Sequence, residues 1–369
     1  MTHSTTYLDW NATAPLRPQA ASAMAEAAML GGNPSSIHRW GREARRRVEV
    51  ARATVAGLVG AAADGVVFTS GGTEANHLAL LGCGRPRVLV SAVEHSSVLQ
   101  AVPEAERIAV DRNGVVDLAA LDALLAADAR PALVSLMLAN NETGVIEPVR
   151  AAADIAHRHG ALLHCDAVQA AGKMRLSAAE IGADLLTLSA HKLGGPTGIG
   201  ALVLAHDSEL APLLRGGGQE RNRRAGTENL VGIAGFAAAA AACDPTEYGP
   251  VQALRDGLEA ALPAGAVVIA GAAPRLPNTA AVAMPGVPAE TQVIALDFDG
   301  VMVSAGAACS SGKVGPSHVL AAMGTPPEIA GTTIRVSLGW ATTGVDVAHF
   351  IDAWTALYRR TRARVKAVA

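Results

Sequence analysis

No excess of basic charge runs through this chain: 30 Lys and Arg stand against 33 Asp and Glu, and charged residues make up only 17% of the total. A formal net charge of −3 leaves no electrostatic footprint for nucleic acid. The one dense basic run, Arg42 to Arg47 in "GREARRRVEVAR", continues with helical spacing and reads as a solvated helix face. Four widely scattered cysteines exclude a disulfide framework and a zinc cluster, so no metal site is expected. Long hydrophobic runs are also missing. The longest, Leu230 to Cys243, spans 14 residues with two glycines, which suits a buried helix and not a membrane span. The opening "MTHSTTYLDWNATAP" has no charged region leading into an apolar one, so the expected compartment is the reducing cytoplasm.

What is present is apolar and alanine-rich. Hydrophobic residues are 50% of the 369, enough for a sizeable core and long enough for two packed domains. The runs "GVVFTS", "RVLVSA", "ALVSLML", "ALLHCD", "DLLTLS" and "GALVLA" have strand length and near-continuous apolar character. Helical segments such as "VRAAADIAHRHG" and "SAAEIGA" lie between several of them. Buried strands alternating with helices predict an α/β fold with a parallel sheet covered on both faces, binding its ligand beyond the carboxyl ends of the strands. The pattern shifts after "AAAACDPTEYGP", where a helix over 251–262 precedes the runs "AVVIAG", "TAAVAMPG", "VMVSAG" and "TIRVSLGW". This predicts a large domain over 12–245 and a small one built from 246–369 together with the N-terminal arm, 1–11.

The strand ends carry polar residues. "GVVFTSGGTEAN" passes through a Gly-Gly turn into a helix at Gly72, Thr73 and Glu74, whose amides and Thr73 hydroxyl make an anion site. "ALLHCDAVQAAG" places Asp166 and Gln169 past a strand; alone, Asp166 would read as an N-cap. "DLLTLSAHK" ends in Ser189, His191 and Lys192, "VLVSAVEHSSV" near His95, and "LVSLMLANNETG" in Asn140, Asn141 and Glu142. One lysine or histidine means little. An anion cup, a buried carboxylate, a flat imidazole and a lysine on one sheet edge form the set a phosphorylated pyridine aldehyde requires. That points to pyridoxal 5'-phosphate, with Lys192 as the amine that joins it.

These motifs, with "YLDWNATAP", "GNPSSIHRWG", "HCDAVQAAGK", "SAHKLGGPTGIGAL", "GGGQERNRRAGTEN" and "SAGAACSSGKVGPSHVL", resemble cysteine desulfurases of the NifS/IscS type, nearly end to end and in order. The resemblance implies a class V aminotransferase, PLP-dependent fold type I: a large domain with a mainly parallel seven-stranded sheet and a smaller α/β C-terminal domain. It implies Lys192 as Schiff-base lysine, Asp166 on the pyridine nitrogen, His95 stacked on the ring, and Asn141 and Gln169 near the ring oxygen. Gly72, Thr73, Ser189 and His191 would bind phosphate, joined by Thr227 from a second subunit of a homodimer. Arg335 in "TIRVSLGW" would hold the carboxylate of L-cysteine, assisted by Asn141; without the resemblance it would read as a strand-end surface arginine.

The reaction rests on Cys309, within the Ser/Gly/Ala-rich stretch 304–318, where the resemblance implies a loop whose thiolate takes the substrate sulfur as a persulfide and leaves L-alanine. Cys83 and Cys165 sit in apolar or strand contexts and read as inert. "CSSGKVGPSHVLAAMG" is similar to the longer-loop group, which passes sulfur directly to an acceptor such as an iron–sulfur scaffold or a tRNA thiolation protein. Selenocysteine lyase, or another aminotransferase-like activity, is the alternative. The family often reads "HKIYGPKGIG" where this chain has Leu193, Gly194 and Thr197, a departure expected to alter loop packing.

Overall fold

The computed structural model describes residues 5–205, 209–306 and 317–368. Twelve strands are present among them: β1 (Thr6–Tyr7), β2 (Val66–Thr69), β3 (Arg87–Ser91), β4 (Glu106–Ile108), β5 (Ala132–Met137), β6 (Leu162–Asp166), β7 (Leu185–Ser189), β8 (Gly200–Leu204), β9 (Val267–Val268), β10 (Thr279–Ala283), β11 (Val301–Met302) and β12 (Thr333–Ser337). Seven of them form one sheet in the order β2-β8-β7-β6-β5-β3-β4. All its neighbours pair in parallel except β8, which runs antiparallel to both β2 and β7. The sheet is therefore mainly and not wholly parallel, as a fold type I sheet is expected to be.

Helices cover the sheet on both faces. Arg39–Leu58 turns Ala44, Val48, Ala51 and Val55 inward while Arg46 stays in water, so its basic run is a solvated face as expected. Leu230–Ala241 buries Ile233, Phe236, Ala237 and Ala239, and is the apolar run read as a core helix. Small alanine side chains let these helices approach closely, and aromatic bulk is little used in this core. No helix among the described residues is long and apolar enough to cross a membrane.

A second core gathers Leu8, Tyr248, Val251, Leu296, Phe350 and Trp354 around the antiparallel sheet β12-β10-β9. The run "AVVIAG" yields only the two residues of β9, because a turn follows at once and leaves Ala270 at φ 54°. The N-terminal arm joins this region: β1 pairs in parallel with β11, and Asp9 bridges to Ser337.

One buried carboxyl gives the fold a pH signature. Glu147 is 3% exposed, accepts the Val116 amide on Oε2 at 2.9 Å, and has no partner on Oε1 among the described residues. Burial pushes its pKa up to about 8, from 4.5. The unfolded chain ionises this group above pH 4.5 and the folded protein resists until about 8, so stability falls as pH rises through that window. Glu147→Gln removes that slope, which amounts to about 3–5 kcal/mol between pH 5 and 8. Urea unfolding of both proteins across this range checks it; parallel curves refute it.

Candidate active site

Parallel strands place their carboxyl ends at one edge of the large sheet, and a cavity of about 300 Å³ opens there. Gly72, Thr73, His95, Asn141, Asp166, Gln169, Ser189, His191, Lys192 and Arg335 all line it. Thr227 does not; it lines a neighbouring cavity with Ser70, Arg224 and Gly226. Cys309 lies outside the described residues.

The anion cup forms where β2 turns into the helix Gly72–Gly82, whose first amides are left without intrahelical partners. Glu74 closes that turn by accepting the Ser70 amide at 2.6 Å, and Arg224 pairs with Glu74 at 2.8 Å. A Cβ on Gly72 would stand 3.1 Å from Val168 Cγ2 and 3.5 Å from Ser189 Cβ, so glycine keeps the cup open.

Asp166 ends β6 and is 6% exposed. It caps no helix, unlike the alternative its sequence allows. Its Oδ1 accepts the Val168 amide at 3.0 Å and its Oδ2 accepts Asn76 Nδ2 at 2.8 Å. The other proton of that amide goes to Ser97 Oγ at 2.8 Å, which lies 2.8 Å from His95 Nδ1. Since Nδ1 also accepts the Ser97 amide, the ring proton of neutral His95 falls on Nε2. One hydrogen-bonded chain thus orients both the carboxylate and the imidazole. Asn76 and Ser97 belong to the cavity although sequence reasoning gave them no role; the signal was their spacing, four residues after Gly72 and two after His95.

Lys192 sits just beyond β7 and donates from Nζ to the carbonyls of Asn11 at 2.6 Å and Ala12 at 2.8 Å. The arm that supplies them is strapped down by Ala14 N to His191 O at 2.9 Å and Arg17 N to Gly194 O at 2.8 Å. His191 Nδ1 lies 2.7 Å from Thr13 Oγ1. Burial, with Lys192 alongside, lowers the His191 pKa to about 4, so it is a neutral hydrogen-bonding ring at pH 7.

Arg335 is 2% exposed and no surface residue. It donates to Asn141 O at 2.9 Å and Asp9 Oδ1 at 2.7 Å, while its Nε is buried with no partner among the described residues. A guanidinium on a cavity wall can take a carboxylate. Asn140, by contrast, is structural: its Oδ1 accepts the Glu142 and Thr143 amides.

Gly194 explains the departure at this loop. It has φ +87°, and a Cβ there would meet Arg17 Cγ at 2.6 Å and Trp340 Cη2 at 2.7 Å. Arg17 stacks 3.8 Å over Trp340, filling the space a larger side chain would use. Gly194→Tyr therefore lowers stability by about 2–4 kcal/mol through overpacking and backbone strain. An unchanged thermal midpoint in that variant would count against this packing.

The sequence matches the family described as aminotransferase class-V over residues 6–350. This chain belongs to the class-V aminotransferase family. Within that family it is 43% identical to a cysteine desulfurase of Cereibacter sphaeroides, the alignment covering 97% of this chain and 96% of that one. It is 39% identical to the cysteine desulfurase IscS of Dictyoglomus turgidum over 96% and 95% of the two chains. The NifS-like protein of Rickettsia africae superposes with a TM-score of 0.90 at 34% identity, covering 96% of this chain and all of that one. The class-V aminotransferase fold type I assignment is thus supported at the level of sequence and of backbone.

The chemistry of the donor set fits the cofactor of this family. A cup of amides and hydroxyls, a buried carboxylate held by an amide side chain, and a lysine stand around one class-V aminotransferase cavity. Among the described residues, Asn76 Oδ1 and Arg335 Nε are its buried polar atoms with no partner.

Proposed function

We propose that this protein is a pyridoxal 5'-phosphate-dependent cysteine desulfurase, converting L-cysteine to L-alanine while sulfur passes to Cys309. The observation that carries this reading is the convergence of Lys192, Asp166 and Arg335 on one cavity wall system, with the relatives named above in support. Bound pyridoxal 5'-phosphate supplies a carbon electrophile for an amine and a sink for charge left on the substrate α-carbon.

Lys192 would hold the cofactor and would move the substrate α-proton. Asp166 would hold a proton at the ring nitrogen, His95 would stack on the ring, and Gln169 and Asn141 would serve its oxygen. Gly72, Thr73, Ser189 and His191 would take the phosphate, with Thr227 supplied by the second subunit of a homodimer. Arg335 binds the substrate carboxylate. The Cys309 thiolate forms a new S–S bond as the substrate C–S bond breaks, and the carbon skeleton leaves as alanine after protonation, so atoms and electrons balance without an added oxidant. On this reading residues 12–245 form the cofactor domain, and 1–11 with 246–369 the small domain. A sulfur-acceptor protein, such as an iron–sulfur scaffold or tRNA thiolation protein, then takes the persulfide sulfur.

The test supplies L-cysteine and a thiol reductant to protein loaded with pyridoxal 5'-phosphate, then measures alanine and sulfide. Equal amounts from the wild type and neither from Cys309→Ala are expected. Full alanine production by the variant overturns the reading.

A further inference from the structure

Lys173 follows Gln169 by four positions, is 3% exposed, and lies behind the cavity wall. Its Nζ donates to Gln169 Oε1 at 2.9 Å and to Asn11 Oδ1 at 2.8 Å. Those are amide oxygens, and the charges that bear on it, Lys192 and Arg335, are both positive. Two acceptors match the two N–H donors of a neutral amine, whereas an ammonium would bury a third donor. Burial, followed by the two cations, holds its pKa well below the usual lysine range, in keeping with that count. Lys173 therefore gives two hydrogen bonds here from a place where burial and the two cations disfavour its charged form.

The consequence lies in which way Gln169 faces. Its Oε1 is turned to Lys173, and one proton of Nε2 goes to the Asn11 carbonyl at 3.0 Å. Gln169 lines the cavity, so the second Nε2 proton is the one it can offer there. Asn11 is fixed by the same amine: its Oδ1 accepts from Lys173 and Asn278, and its carbonyl is one of the two that receive Lys192.

We propose that Lys173 is a positioning residue that sets the Gln169 amide with its N–H toward the cavity, so that it donates to the ring oxygen of the bound cofactor. This rests on the reading given under Proposed function. A donor there draws negative charge off the ring oxygen and weakens its hold on a proton at the neighbouring Lys192 nitrogen. Without Lys173, Oε1 is a buried acceptor with no partner, and the amide rotates to find one.

The experiment titrates the visible absorbance of protein loaded with pyridoxal 5'-phosphate against pH. Lys173→Met raises the midpoint by about one unit, the worth of one charge-assisted hydrogen bond. Gln169→Leu raises it equally, and the double variant goes no further, because both changes remove the same donor. The other titratable or charged groups at the cavity (Asp166, His95, His191, Arg335) are untouched in all three. A wild-type midpoint in Lys173→Met, or shifts that add, overturns the inference. Should Lys173→Met not fold, Lys173→Ala is read in the same way. A wild type that gains no visible band defeats the cofactor reading instead, so the two failures are distinct.

Discussion

Replacing Lys192 by alanine lowers alanine production from L-cysteine by about 10⁵-fold, the scale of loss when a nucleophile that also moves the proton is removed. The structural cost is small by comparison. Two carbonyls, Asn11 O and Ala12 O, lose a donor, a loss of about 1–3 kcal/mol that water entering from the cavity reduces. The fold therefore persists, and the cavity keeps its anion cup and Asp166, both built from other elements. Pyridoxal 5'-phosphate still binds through these groups but develops no band characteristic of an attached lysine. Absorbance, alanine yield and far-ultraviolet circular dichroism, measured on one preparation, separate the outcomes. Retention of more than a hundredth of wild-type activity would remove Lys192 from the mechanism.

Arg335→Lys raises the KM for L-cysteine by about 100-fold while leaving the loaded protein's absorbance unchanged. Lysine keeps the charge and loses the planar fork, so it cannot face Asn141 O, Asp9 and a substrate carboxylate together. One lost charge-assisted hydrogen bond costs about 1.5–3 kcal/mol, and a single loss near the upper end of that range makes up the hundredfold. Arg335→Leu goes further, because it strands Asp9 without its ion-pair partner at 2.7 Å; it adds a loss of stability of about 3 kcal/mol. Steady-state kinetics of Arg335→Lys decides the matter: a fall in kcat at constant KM would place this arginine in the chemistry and not in carboxylate binding.

Much of this site was legible because side chains announce themselves at strand ends. Asp166, Ser189, His191 and Lys192 follow runs that can only be buried strands, and their joint position on one edge follows from parallel pairing. The direction of β8 was not legible. A strand apolar on both faces reads the same in either sense, and a loop between β7 and β8 replaces the helix that a parallel return would need. The fixing of Lys192 was hidden for another reason: it depends on the backbone carbonyls of Asn11 and Ala12, atoms every residue has. Burial of Arg335 was equally invisible, since its Asp9 partner lies 326 positions away. Lys173 looked like any lysine after a glycine until Gln169 and Asn11 were found on its Nζ.

The arm around Thr6–Ala12 is synthesised well before the strands it settles on: Thr6 pairs with Val301, Asp9 bridges to Ser337, and Lys192 rests on Asn11. It thus waits for about 300 further residues before it has anywhere to settle. Closing so long a loop is an entropic cost met late in folding. Lys192 takes its hydrogen bonds from this arm, so a nascent or truncated chain that ends before β12 holds that lysine on an arm without its Ser337 bridge.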